Sequence, residues 1–119
     1  MSNKILFVDD DPNIQKMVEI FLRDQNYQIT YAKNGRSALR FFEKEKYNLV
    51  ITDVQMPEMD GLTLAKEIRI QDKKIPILIV SAFGQENMNN KVLGEQAFVI
   101  SKPFERNELI DVIEKNIKP

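Results

Sequence analysis

The sequence predicts an α/β protein: a doubly wound, five-stranded parallel sheet with helices on both faces. Three observations predict it. Five short apolar runs recur roughly 20 to 28 residues apart, which leaves room for a helix between each pair. The first, third and fourth runs are continuously apolar and rich in β-branched residues, as strands buried on both faces should be. The segments between the runs carry apolar residues at helical spacing behind recognisable caps.

The first run is Ile5-Leu6-Phe7-Val8. After it, Asp11 can cap a helix, Pro12 fits the first helical position, and Ile14, Met17, Val18, Phe21 and Leu22 form one apolar stripe. The second run, Gln28-Ile29-Thr30-Tyr31-Ala32, alternates, which suits an edge strand. Asn34-Gly35 starts a helix carrying Ala38, Leu39 and Phe42. The third run, Leu49-Val50-Ile51-Thr52, leads to Asp60-Gly61 and a helix with Leu64, Ala65 and Ile68. After the fourth, Ile77-Leu78-Ile79-Val80, the stretch from Gln85 to Leu93 is polar and Asn-rich. Its only apolar anchors are Met88, Val92 and Leu93, and the most mobile of five helices is expected there. The fifth run, Ala97-Phe98-Val99-Ile100, precedes a helix from about Arg106 that places Leu109, Ile110, Ile113 and Ile117 on one face. Right-handed crossovers restrict the topologies, and strand order 2-1-3-4-5 is the common doubly wound arrangement at this length. Ligands in such sheets sit outside the carboxyl ends of the strands, at the switch point between the first and third.

Composition narrows the chemistry. At 119 residues, 43% hydrophobic and 29% charged, residues 1–119 read as one globular domain. Seventeen Lys and Arg against eighteen Asp and Glu give a net charge of −1 with no basic stripe, which argues against direct DNA binding. The absence of cysteine excludes disulfides, thiolate catalysis and Fe–S clusters; the absence of histidine excludes Ser-His-Asp triads and a phosphohistidine on this chain. No run approaches the ~20 apolar residues that span a bilayer, and no signal-peptide core opens the chain, so the expectation is a cytoplasmic protein without membrane contact.

The strand ends carry what chemistry remains. Taken singly, Asp9 and Asp10 read as solvated loop acids and Asp53 as a turn-forming aspartate. Once the first and third strands are neighbours, the three carboxylates converge on one crevice. Like charges that close need a cation or raised pKa values, and an all-oxygen donor set suits Mg²⁺. Ser81 ends the fourth strand and Lys102 the fifth, on the same edge. Singly, Ser81 reads as a helix-capping hydroxyl and Lys102 as a solvated lysine. With the acids they compose a site for a transferable phosphoryl group. The metal and Lys102 would neutralise its oxygens, Ser81 would donate a hydrogen bond, and one carboxylate would be the nucleophile.

The motifs KILFVDDDP, ITDVQMPEMDG, VSA and SKPF, in this order and spacing, resemble the flavodoxin-like receiver domain of two-component response regulators. The likeness covers essentially the whole chain. VSAFGQENM also resembles single-domain receivers of sporulation relays, and the chain as a whole those of the chemotaxis or sporulation-relay type. The resemblance implies that Asp53 is the phosphoacceptor and that Asp9 and Asp10 hold Mg²⁺, with the backbone carbonyl of Gln55 completing the metal site. It implies Ser81 as the switch hydroxyl and Lys102 as the phosphoryl-pairing lysine, with Lys102–Pro103 cis. The donor would be a histidine kinase or a histidine phosphotransfer protein. A downstream protein target would read the face from Gln85 to Ile117. The chain would be a stand-alone or excised receiver rather than a small-molecule enzyme.

Two features depart from the family pattern or qualify it. Receivers usually carry Tyr or Phe three residues before the lysine, where this chain has Val99, with Phe98 one residue earlier. Side chains alternate across a sheet, so Phe98 is expected on the opposite face unless a bulge re-aims it. The resemblance also implies that Gln55 and Phe83 stand where receivers flank the path of the hydrolytic water, and Phe83 is expected to slow loss of the phosphoryl group. The competing readings are weaker. A flavodoxin-like cofactor binder would not put Asp9, Asp10 and Asp11 where a phosphate loop belongs. A small-molecule phosphatase would carry a second Asp where Gln55 stands. The alternative within the family is a degenerate receiver acting only as an interaction module.

Overall fold

The computed structural model describes residues 3–56, 58–82, 94 and 96–117. Five parallel strands form one sheet: β1 (Asn3–Val8), β2 (Tyr27–Ala32), β3 (Leu49–Asp53), β4 (Ile77–Ser81) and β5 (Ala97–Ser101). Their order is β2-β1-β3-β4-β5, as expected. Among the described residues four helices accompany them: α1 (Pro12–Phe21), α2 (Gly35–Lys44), α3 (Gly61–Gln71) and α4 (Arg106–Asn116). The remaining helix expected from sequence, from Gln85 to Leu93, lies outside the described residues. None of the described helices is long and apolar enough to cross a membrane.

Local chemistry starts each helix where the sequence places it. The Asp11 carboxylate accepts the Asn13 N–H at 2.9 Å ahead of Pro12, Asn34 accepts from Ser37 N–H at 2.8 Å, and Asp60 accepts from Thr63 N–H at 2.8 Å. At α4 the Glu108 carboxylate reaches back to the Glu105 N–H at 3.1 Å.

Strand alternation divides the core into two layers. Leu6, Val8, Val50, Ile77 and Ile79 pack under Ala38 of α2 and Leu64, Ala65 and Ile68 of α3. Ile5, Phe7, Ile51, Leu78, Val80 and Ile100 pack under Val18 of α1 and Leu109, Ile110 and Ile113 of α4. Most of these side chains are wholly buried, each contributing about 1.5–3 kcal/mol. The apolar slab is therefore strong enough to carry a cluster of charges along its rim.

The β4–β5 register runs unbroken from Ile77–Ala97 to Ser81–Ser101. No bulge intervenes, so Phe98 packs with the α1–α4 layer and Val99 with the α2–α3 layer. The ring lies on the face opposite to the one that the family pattern would give it.

Candidate functional site

The carboxyl edge of the sheet gathers the predicted residues by the same alternation that builds the core. Asp9, Asp53 and Lys102 each stand two positions beyond a residue of the α1–α4 layer, namely Phe7, Ile51 and Ile100. The β1–β3 register pairs Val8 with Thr52, so continuing it by one sets Asp9 level with Asp53. Asp9, Asp10 and Asp53 each offer one carboxylate oxygen, and these three oxygens lie within 4.8 Å of one another. Lys102 Nζ reaches between two of them, 3.3 Å from Asp9 Oδ2 and 3.4 Å from Asp53 Oδ2. Lys102–Pro103 is cis, as the resemblance implies.

Burial differs sharply within the trio. Asp9 is 1% exposed and Asp53 8% exposed, whereas Asp10 faces solvent. Burial pushes the Asp9 carboxyl above the ordinary carboxylate range and the negative charge of Asp53 adds to it, against the N–H of Asp11 and the charge of Lys102. For Lys102, burial alone would lower the pKa, but the attraction of Asp9 and Asp53 outweighs it and the ammonium is held above its ordinary value. Two buried carboxylates thus share one ammonium in a partly buried crevice, with the exposed Asp10 carboxylate beside them. An all-oxygen set with surplus negative charge fits a hard divalent cation, and no His or Cys of the chain competes for a softer one.

The backbone around Asp53 is fixed on three sides. Val54 N–H donates to Val80 O at 3.0 Å, Gly61 N–H donates to Val54 O at 2.8 Å, and the Thr52 hydroxyl donates to Asp53 O at 3.0 Å. A Cβ at Gly61 would fall 1.9 Å from Asp53 O. Only a glycine lets the start of α3 come this close to the carbonyl of Asp53. The loop that bridges them is also seated at α2, where a Cβ on Gly35 would meet Met59 Sδ at 2.6 Å.

Ser81 ends β4 buried, with its carbonyl accepting the Lys102 N–H at 2.8 Å. Gln55 lies exposed in the loop after β3, two residues beyond Asp53. Phe83 falls outside the described residues. Sequence reasoning missed two supporting residues. Gln15 of α1 donates from Nε2 to Asp9 O at 2.8 Å, and nothing distinguishes it from an ordinary helical surface glutamine. Gly61 was legible only as the start of a helix. A cavity of about 470 Å³ lies elsewhere. It is lined by Tyr47, Asn48, Asp72, Ile75, Pro76 and Gln96 at the amino ends of β3, β4 and β5, opposite the carboxylates.

Residues 5–114 match the family described as the response regulator receiver domain. The chain belongs to that family. As a receiver it is a phosphoacceptor of two-component signalling. It is 34% identical over 117 residues to sporulation initiation phosphotransferase F of Bacillus subtilis, covering 97% of this chain and 94% of that protein. The chemotaxis response regulator CheY4 of Vibrio cholerae superposes with a TM-score of 0.85 at 31% identity, covering 98% of this chain and 100% of that one. Response regulator protein TrrA of Thermotoga maritima, solved in complex with Mg²⁺–BeF, gives a TM-score of 0.83 at 34% identity, covering 97% and 99%. By contrast the chain spans 25% of regulatory protein AtoC of Escherichia coli and 42% of a probable transcriptional regulator of Galdieria sulphuraria.

Proposed function

We propose that residues 1–119 form one receiver domain in which Asp53 accepts a phosphoryl group from the phosphohistidine of a histidine kinase or a histidine phosphotransfer protein. The observation that carries this reading is the pair of contacts from Lys102 Nζ to Asp9 and Asp53 within a cluster of three carboxylates. An Asp53 carboxylate oxygen forms the new O–P bond as the donor's N–P bond breaks, and the released imidazole takes its proton from water. Lys102, already above Asp53, neutralises the phosphoryl oxygens as they arrive. Asp9, Asp10, Asp53 and the backbone carbonyl of Gln55 would hold Mg²⁺, which supplies further charge neutralisation when bound. Ser81, at the neighbouring strand end, is the hydroxyl that reports the phosphoryl group. The signal is a population shift between two conformations, read by a protein target that binds one better than the other. The face from Gln85 to Ile117 is the proposed reporting surface, and the cytoplasm the proposed compartment. Because Val99 replaces the family's aromatic residue on the α2–α3 side, the shift here proceeds without an inward-turning ring.

Intact mass after incubation with acetyl phosphate tests the reading. One phosphoryl adduct is expected, lost in Asp53→Asn and lost when Mg²⁺ is chelated. An adduct that persists in Asp53→Asn, or none on the folded wild-type protein with Mg²⁺, overturns it.

A further inference from the structure

Asp9 and Asp10 share one peptide unit, and a residue of α1 grips that unit from the side. Gln15 Nε2 donates to the Asp9 carbonyl oxygen at 2.8 Å. That carbonyl belongs to the planar group joining Asp9 to Asp10, so its direction governs how the chain leaves Asp9 and where it carries Asp10. The remainder of Asp9 is held by other bonds. Its N–H donates to Ala32 O at 3.1 Å, and its Oδ1 accepts the Asp11 N–H at 2.9 Å. Gln15 supplies the contact on the Asp10 side. It is itself anchored, half-buried in the first turn of α1 with its N–H donating to Asp11 O at 3.2 Å.

Asp10 has the opposite character. It is exposed and makes no ion pair among the described residues. The direction of its carboxylate is therefore inherited from the backbone that presents it. A divalent ion needs both acids turned toward one point, and every degree of freedom left in the joining peptide must be frozen when the ion arrives.

We propose that Gln15 is a positioning residue for these carboxylates: by fixing the Asp9–Asp10 peptide plane it sets the affinity of the site for Mg²⁺. The inference rests on the metal reading above and adds to it a residue that touches neither ion nor phosphate. Outer partners of this kind typically change metal affinity by about 10–100-fold when removed.

The test is a Mg²⁺ titration of the wild-type protein, Gln15→Met and Gln15→Glu, followed by amide NMR shifts, with thermal unfolding in EDTA alongside. Met keeps the length of the side chain and removes the donor; Glu puts an oxygen against the carbonyl. Both variants are expected to bind Mg²⁺ about tenfold more weakly. With acetyl phosphate, the Mg²⁺ concentration for half-maximal rate should rise by a similar factor while the rate at saturating Mg²⁺ is kept. Wild-type Mg²⁺ affinity in Gln15→Met overturns the inference and leaves the metal reading standing. If that variant does not fold, wild-type affinity in Gln15→Glu overturns it equally. Absence of Mg²⁺ binding by the folded wild-type protein overturns the metal reading itself, and the role of Gln15 with it.

Discussion

The two edges of the sheet handle buried charge in opposite ways. At the amino edge, Arg69 is 6% exposed, and its guanidinium donates to Asp72 O at 3.1 Å, Ile75 O at 2.7 Å and Gln96 O at 3.4 Å. One cation is shared among three carbonyls that tie the end of α3 to the residues entering β4 and β5. Burial lowers its pKa, the nearby charge of Asp72 offsets part of that, and a guanidinium stays protonated regardless. At the carboxyl edge, three carboxylates cluster, two of them against one ammonium, and the most buried of them, Asp9, carries a raised pKa. The first arrangement sets its charge against neutral dipoles, with Nε alone left without a hydrogen-bond partner among the described residues, and stabilises the fold. The second leaves a repulsion that a cation would relieve. Buried charge is therefore structural or functional according to whether its partners complete it.

Removing Arg69 should have the largest effect on stability and the least on chemistry. Arg69→Ala strands three carbonyls and opens a gap between α3 and the β4 and β5 entries. A loss of about 3 kcal/mol is expected, lowering Tm by about 12 °C. At a temperature where the variant remains folded, phosphorylation by acetyl phosphate should proceed at the wild-type rate. A parallel loss of phosphorylation would show that the two edges are coupled.

Gly61→Ala distorts the carboxyl edge without altering a charge. The added methyl meets the Asp53 carbonyl oxygen at 1.9 Å, so either α3 or the acceptor's backbone must shift. Helix propensity favours alanine by about 1 kcal/mol, and the clash outweighs it for a net loss of about 2 kcal/mol. Displacement of Asp53, the proposed nucleophile, should slow phosphorylation about tenfold. An unchanged rate, measured by intact mass over time, would mean that the loop moves as a unit and carries Asp53 with it.

Much of this was legible in the sequence, for physical reasons. Strands such as Leu49-Val50-Ile51-Thr52 are buried on both faces, so their composition alone distinguishes them, and Asp11, Asn34 and Asp60 mark helix starts by the hydrogen bonds they make. The doubly wound order then placed Asp9, Asp10, Asp53 and Lys102 on one edge without any coordinates. Gln15, Gly61 as a spacer, and Arg69 were not legible. Each acts on backbone atoms distant in the chain or held by the fold, and no spacing in the sequence encodes which carbonyl a side chain will find. The face of Phe98 was legible only conditionally, because alternation fixes it once a bulge is excluded and only the register excludes one.

The smallest effect is the most informative about the comparison. Burial raises the Asp9 pKa, so the native state holds that proton more tightly than the unfolded chain. The resulting contribution to stability is fully present below the unfolded pKa and is lost as pH rises through the folded one. At neutral pH the metal-free protein therefore carries a charged Asp9 at a cost. Asp9→Asn removes the charge and its repulsion of Asp53 while keeping an oxygen for the Asp11 N–H. In EDTA at pH 7 the variant should be more stable by about 1 kcal/mol, or about 4 °C in Tm. Lys102 does not confound this. Its pKa is raised, so its contribution is constant until pH climbs past the ordinary lysine range. The gap between variant and wild type should close as pH falls through the titration of Asp9. Saturating Mg²⁺ should reverse it, because only the wild-type protein gains the full binding free energy. If Asp9→Asn is instead the less stable protein in EDTA at pH 7, pairing with Lys102 outweighs burial and repulsion, and the carboxyl edge would resemble the amino edge more closely than its three carboxylates suggest.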